Sequence, residues 1–203
     1  MYVQDMMMPD PIASEQMREY FMTCVRATFQ KMNTGTDPGA SCLFWSLAAW
    51  MVARQMRFHE YGWELMLQGG TASFMMRDTP EDPNEHDAFS YTFEDSLTTR
   101  MRLAQGLLPE MHCWLACPRH QIFLDVTTGF QPAQAKKMTG YEWADAYLPP
   151  EYFIGRAPDA EKLGIFYAAD RSATMTALSM AHEWLREQED LMIRGQLAPM
   201  FGY

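Results

Sequence analysis

His112-Cys113-Trp114-Leu115-Ala116-Cys117-Pro118-Arg119-His120-Gln121-Ile122-Phe123-Leu124-Asp125-Val126-Thr127 reads as two short strands joined by a turn. Both flanks are apolar and strand-like, and Pro118 interrupts the run between them. With Pro118-Arg119 as the turn, Cys117 faces His120, Leu115 faces Ile122, Trp114 faces Phe123 and His112 faces Asp125. Residues directly opposite in an antiparallel pair share a face, with Cβ atoms ~5 Å apart. The spacing therefore predicts a His–Asp pair on one face of the ladder. A loop longer by two residues keeps the facing parity but changes the partner.

Upstream, Thr36-Asp37-Pro38-Gly39-Ala40-Ser41 is turn-forming, and Cys42 opens the run Leu43-Phe44-Trp45-Ser46-Leu47-Ala48-Ala49-Trp50-Met51-Val52. That run has almost no polar face, so it predicts a helix, from about Cys42 to Gln55, buried on most sides. A helix N-terminus offers unpaired N–H groups and partial positive charge. A nearby imidazolium adds a full charge, and together they lower a thiol pKa from ~8.5 into the range of roughly 3.5–7.5. One nitrogen of His112 can bond Asp125, which fixes the tautomer, while the other points towards Cys42. The Cys42 N–H is available to an oxyanion. Gln30 and Asn33 are the side-chain candidates for that role, and Trp114, on the same face as His112, is placed to wall the cleft.

The rest of the chain supplies the frame. Residues 1–13 read as a loose arm, and Ser14 to Met32 as a helix with Met17, Phe21, Cys24, Val25, Thr28 and Met32 on one face. Phe58–Gln68 and Thr71–Arg77 flank Gly69-Gly70 and predict a hairpin. Asp78–Asp87 is an acidic, proline-containing loop. Phe89–Phe93 suggests a strand, followed by a short helix to Gly106. Ala133–Ala146 has helical spacing up to Leu148-Pro149-Pro150. Tyr152–Ile154 and Leu163–Ala169 read as strands. Asp170 is positioned to cap a final helix that Gly195 would end. Helices first, then antiparallel strands, then a closing helix imply one α+β domain over 1–203, with its ordered part at about 14–200.

Composition narrows the function. The 203 residues are 48% hydrophobic and 21% charged, enough for one buried core. Nineteen methionines suit an adaptable core. The formal net charge of −10 repels phosphate backbones and anionic lipid, so neither nucleic acid nor membrane is an expected partner. No run approaches a membrane span, and the first ten residues do not read as a signal peptide. Cys24, Cys42, Cys113 and Cys117 are expected to be reduced thiols in the cytoplasm.

The ordered trio Cys42, His112, Asp125 resembles the papain-like and transglutaminase-like cysteine superfamily. His112-Cys113-Trp114 through Leu124-Asp125-Val126-Thr127 is similar to the transglutaminase-like pattern of His, an aromatic, then an apolar strand ending in Asp and Thr. Gly39-Ala40-Ser41-Cys42 is similar to the small residues before the papain-family nucleophile. The resemblance covers roughly residues 37–55 and 111–128. It implies an antiparallel sheet packed against a Cys-bearing N-terminal helix and a C-terminal helix. It makes Cys42 the nucleophile, His112 the acid and base, and Asp125 the orienting residue. The implied activity is a thiol-dependent hydrolase, a protease or amidase, acting on a peptide or a small amide or ester through a thioacyl enzyme, without a cofactor. An acyltransferase of transglutaminase or arylamine N-acetyltransferase type is the close alternative. A catalytically silent binding protein on the same fold is the other, since Leu43 stands where papain relatives have an aromatic.

His112, Cys113, Cys117 and His120 also offer zinc-type ligands. Strand alternation sends His112 and Cys113 to opposite faces, leaving Cys117 and His120 as the pair in mutual reach. No metal is therefore expected. His59, His86 and His182 carry no motif, and no Gly-x-Ser-x-Gly elbow or phosphate loop is present.

Overall fold

The computed structural model describes residues 12–32, 41–78, 87–94, 96–104, 111–187, 191–197 and 200. It is an α+β structure with an antiparallel sheet. Helices α1 (Glu15–Met32) and α2 (Cys42–Gln55) come first, then β1 (Met66–Met75) and β2 (Ala88–Tyr91). Helix α3 (Leu97–Ala104) precedes β3 (His112–Cys117) and β4 (Ile122–Asp125). Helix α4 (Gln131–Thr139), β5 (Phe153–Arg156), α5 (Ala157–Lys162), β6 (Ile165–Ala169), α6 (Arg171–Glu187) and α7 (Leu191–Leu197) follow. Strands run in the order β2-β1-β3-β4-β5, and β6 also pairs with β1.

Helix α2 begins at Cys42, and its residues from Leu43 to Ala53 are all buried. A helix apolar on every side has to be packed on every side. It lies on β3 and is flanked by α1, whose Phe29 ring stacks on Trp45 at 4.0 Å. Ser46, the polar exception in this run, donates its hydroxyl to the Cys113 carbonyl at 3.1 Å, which satisfies it and ties α2 to β3. The buried face of α1 is Phe21, Met22, Val25, Phe29 and Met32. The expected Met17 points outward, and Ile12, expected in a loose arm, is fully buried.

The hairpin expected at Gly69-Gly70 does not exist. Both glycines lie inside the unbroken strand β1. Gly70 pairs with His112 of β3 and also with Ala169 of β6. The glycines serve close approach instead of a turn. A Cβ on Gly70 would sit 2.2 Å from the Ala168 carbonyl oxygen, and one on Gly69 would sit 2.9 Å from the Ala173 backbone in α6. Phe58–Tyr61 forms a short 3₁₀ turn in place of the hairpin's first strand.

The connection between β3 and β4 also differs from expectation. Cys117 pairs with Ile122, Ala116 with Phe123 and Leu115 with Leu124. Four residues, Pro118–Gln121, make the turn, with Gln121 at φ 54°. The register is shifted by two, so the ladder continued by one pair sets Asp125 opposite Trp114. His112 is then a diagonal neighbour of Asp125 on the same face, within reach of a long side chain.

Alternation divides the sheet into two faces. Leu67, Cys113, Leu115 and Leu124 face the helical core of α1, α2 and α6. Ala72, Phe74, Phe89, Phe153 and Ile165 face a second cluster that Ala135 and Ala160 complete. On that second face the Phe123 and Tyr167 rings stack at 5.4 Å. Their strands β4 and β6 are separated by β3 and β1, so the sheet curls around an aromatic interior. Asp170 caps α6 through the Ala173 N–H at 2.8 Å, as expected. Gly195 does not end that helix but lies within α7.

Candidate active site

Each member of the trio occupies a distinct kind of position. Cys42 is the first residue of α2 and is half-buried. His112 opens β3 and Asp125 closes β4, both without meaningful exposure. The His112 ring and the Asp125 carboxylate lie on the aromatic face, opposite α2. Cys42 reaches them because it stands beyond the start of β3, its thiol directed at the Met111 carbonyl at 3.8 Å.

Asp125 accepts from His112 Nε2 at 2.6 Å and from the Tyr167 hydroxyl at 2.9 Å on Oδ2, and from the Thr127 N–H at 2.9 Å and hydroxyl at 2.7 Å on Oδ1. The Thr127 bonds come from an Asx-type turn that follows directly from Asp125-Val126-Thr127. Burial works against the Asp125 charge, but the His112 ring and the Thr127 donors outweigh it and hold the carboxyl below its usual range.

With Nε2 bound to Asp125, His112 Nδ1 is left buried without a formed hydrogen bond. The Cys42 thiol lies beside it, close enough for each group to shift the protonation of the other. Burial opposes charge on the ring, but the Asp125 carboxylate and then Cys42 overcome it and raise His112 to about 10. For Cys42, the neighbouring Cys113 thiol is the largest influence and lowers it; burial pulls the other way, and His112 adds to the lowering. The thiol of Cys42 falls well below its ordinary value, while Cys113, facing that negative charge in the core, is driven upward and stays protonated. Both shifts favour a thiolate on Cys42 beside an imidazolium on His112.

Aromatic rings close the ring side of this pair. Tyr91 stacks on His112 at 5.3 Å, Phe74 meets it edge-on at 5.7 Å and Trp114 lies at 6.1 Å. Trp114 is fully buried, so it packs behind His112 and does not wall an open cleft. Gln30 is exposed on α1 and hydrogen-bonds none of the described residues, so it is not placed at the sulfur. Asn33 lies outside the described residues, as do the turn 33–40 and all but the ends of the acidic segment Asp78–Asp87. Cys117 and His120 do approach one another, but both are directed at the Gly62 carbonyl, at 3.9 and 3.1 Å. Among the described residues no group of three His, Cys, Asp or Glu side chains could hold a metal ion.

Tyr91, Tyr167 and the thiol of Cys113 belong to this site, though nothing in their local sequence marks them for it. Tyr91 and Tyr167 arrive through the curl of the sheet, which no local periodicity records. In the sequence Cys113 reads as a reduced strand thiol and a zinc-type ligand, not as a neighbour of Cys42.

No family model and no curated protein matches the chain. Among solved structures, one named only as the crystal structure of genomics APC5867 is similar, with 14% identity and a TM-score of 0.48. The alignment covers 92% of this chain and 78% of that one. The name of that neighbour states no activity. No helix among the described residues is long and apolar enough to cross a membrane.

Proposed function

We propose that this protein is a thiol-dependent hydrolase of amides or esters, built as a papain-like or transglutaminase-like cysteine domain. The observation that carries the reading is the His112 ring. One nitrogen is bound to a saturated, buried carboxylate and the other is left free beside a thiol at a helix start. A buried ring nitrogen without a partner calls for an explanation, and proton exchange with the adjacent thiol supplies one.

The Cys42 thiolate attacks a carbonyl carbon, and the C=O electron pair moves onto oxygen. As the tetrahedral intermediate collapses, the imidazolium gives its Nδ1 proton to the leaving amine or alkoxide, and a thioester remains on Cys42. His112, now neutral, takes a proton from water, which attacks the thioester. The acid leaves, and the thiolate–imidazolium pair is restored. An amine in place of water would give acyl transfer through the same thioester. Asp125 stays ionised throughout and holds the ring in one tautomer. Substrate approaches from the side of the sulfur, because aromatic rings occupy the other.

The test is acylation of the whole protein by p-nitrophenyl acetate, followed by mass spectrometry of the Cys42 peptide. The reading predicts release of p-nitrophenol at neutral pH, an acetyl group on Cys42 that turns over, and loss of turnover in His112→Ala. Acylation no faster than that of a free thiol, or unaffected by His112→Ala, would contradict it.

A further inference from the structure

The thiolate, the ring and the carboxylate supply a nucleophile, a proton carrier and an orienting group. Acyl chemistry also requires donors aimed at the oxygen that becomes negative. The backbone N–H of Cys42 is one, since the first residues of a helix have no intrahelical acceptor. Gln30 is exposed on α1, so it does not serve as the second donor.

Tyr91 is placed to fill that gap. It ends β2 and pairs with Ala72, two residues along β1 from Gly70, the partner of His112. Its ring lies on the His112 ring at 5.3 Å and 25° and makes a T-shaped contact with Phe89 at 5.0 Å. It is half-buried, and its hydroxyl bonds none of the described residues. A tyrosine hydroxyl fixed this firmly ordinarily finds a partner. The charges of both Cys42 and Asp125 bear on it.

We propose that Tyr91 is a further catalytic residue whose hydroxyl donates a hydrogen bond to the oxyanion formed when Cys42 attacks a carbonyl. The inference rests on the acyl-transfer reading of the site. Burial, with the negative charges of Cys42 and Asp125, raises the Tyr91 hydroxyl well above its ordinary value. It therefore remains a donor at every pH where the thiolate works. No proton leaves it; the bond strengthens as charge gathers on the oxygen and relaxes when the intermediate collapses.

Tyr91→Phe keeps the ring and its stacking and removes only the donor. Two reagents separate the roles. Iodoacetamide reacts at saturated carbon and forms no oxyanion, whereas p-nitrophenyl acetate must form one. The expected result is acylation of Cys42 slowed about 100-fold, the usual effect of losing one such donor, with the alkylation rate and its pH profile unchanged. Acylation at the wild-type rate would overturn the inference. So would equal slowing of both reactions, which would make Tyr91 a support for the sulfur or the ring. A wild-type protein that alkylates but does not acylate would instead defeat the acyl-transfer reading, and this inference with it.

Discussion

Asp125 accepts four donors on two oxygens in the interior, and the protonation of His112 follows from it. Thr127→Val removes the hydroxyl donor and keeps the N–H. A hydrogen bond to a charged group contributes about 1.5–3 kcal/mol, so urea unfolding at neutral pH should show a loss of that size. The Asp125 pKa is depressed in the fold, so its contribution is present above the unfolded carboxyl value and is lost as pH falls through the folded one. The gap between wild type and variant should therefore narrow on acidification. Asp125→Asn should act on the ring instead: His112 drops from about 10, and the pH profile of Cys42 alkylation moves upward. An alkylation profile unmoved by Asp125→Asn would refute that coupling. At this scale the sequence was informative where partners are local. Asp125 and Thr127 are two residues apart and declare their turn, and strand parity sets His112 and Asp125 on one face, though as diagonal neighbours and not as the facing pair expected. Tyr167 and Tyr91 reach the site across other strands, and no spacing along the chain reports that.

The elements were legible to the extent that a single interaction decided them. Helix α2 runs from Cys42 to Gln55 as the apolar run implies, because burial on all sides leaves no competing conformation. Gly69-Gly70 misled because glycine pairs serve both tight turns and close packing, and only the neighbours in space distinguish them. Gly70→Ala should destabilise the protein by about 1–3 kcal/mol or more in urea, since its Cβ meets backbone that cannot move aside. Gly195→Ala is the counterpart: it lies within α7 with nothing within 4 Å of a built Cβ, and should stabilise by about 0.5–1 kcal/mol. Equal effects of the two substitutions would show that chain flexibility, and not close packing, governs β1. The β3–β4 turn was misjudged by two residues for a related reason. The turn ends on Gln121 in a left-handed conformation that glycine favours, so the residue type gave no sign of it.

Across the whole molecule, α1, α2 and α6 pack on one face of a curled sheet, the His112–Asp125 pair lies on the other, and Cys42 meets that pair from the start of α2. The helical core fixes Cys42 from one side, while the aromatic interior fixes His112 from the other. The α+β class and the chain order of the trio were available from the sequence because they need only element types. The curl was not, because it arises from contacts between strands distant in the chain. The central claim is that the two faces deliver a thiolate beside an imidazolium. Ultraviolet thiolate absorbance as a function of pH, taken as the difference between wild type and Cys42→Ser, measures this directly. The account predicts one thiolate titrating well below the ordinary ~8.5, moving back up in His112→Ala. A Cys42 that ionises with the other thiols, at or above that value, would contradict it.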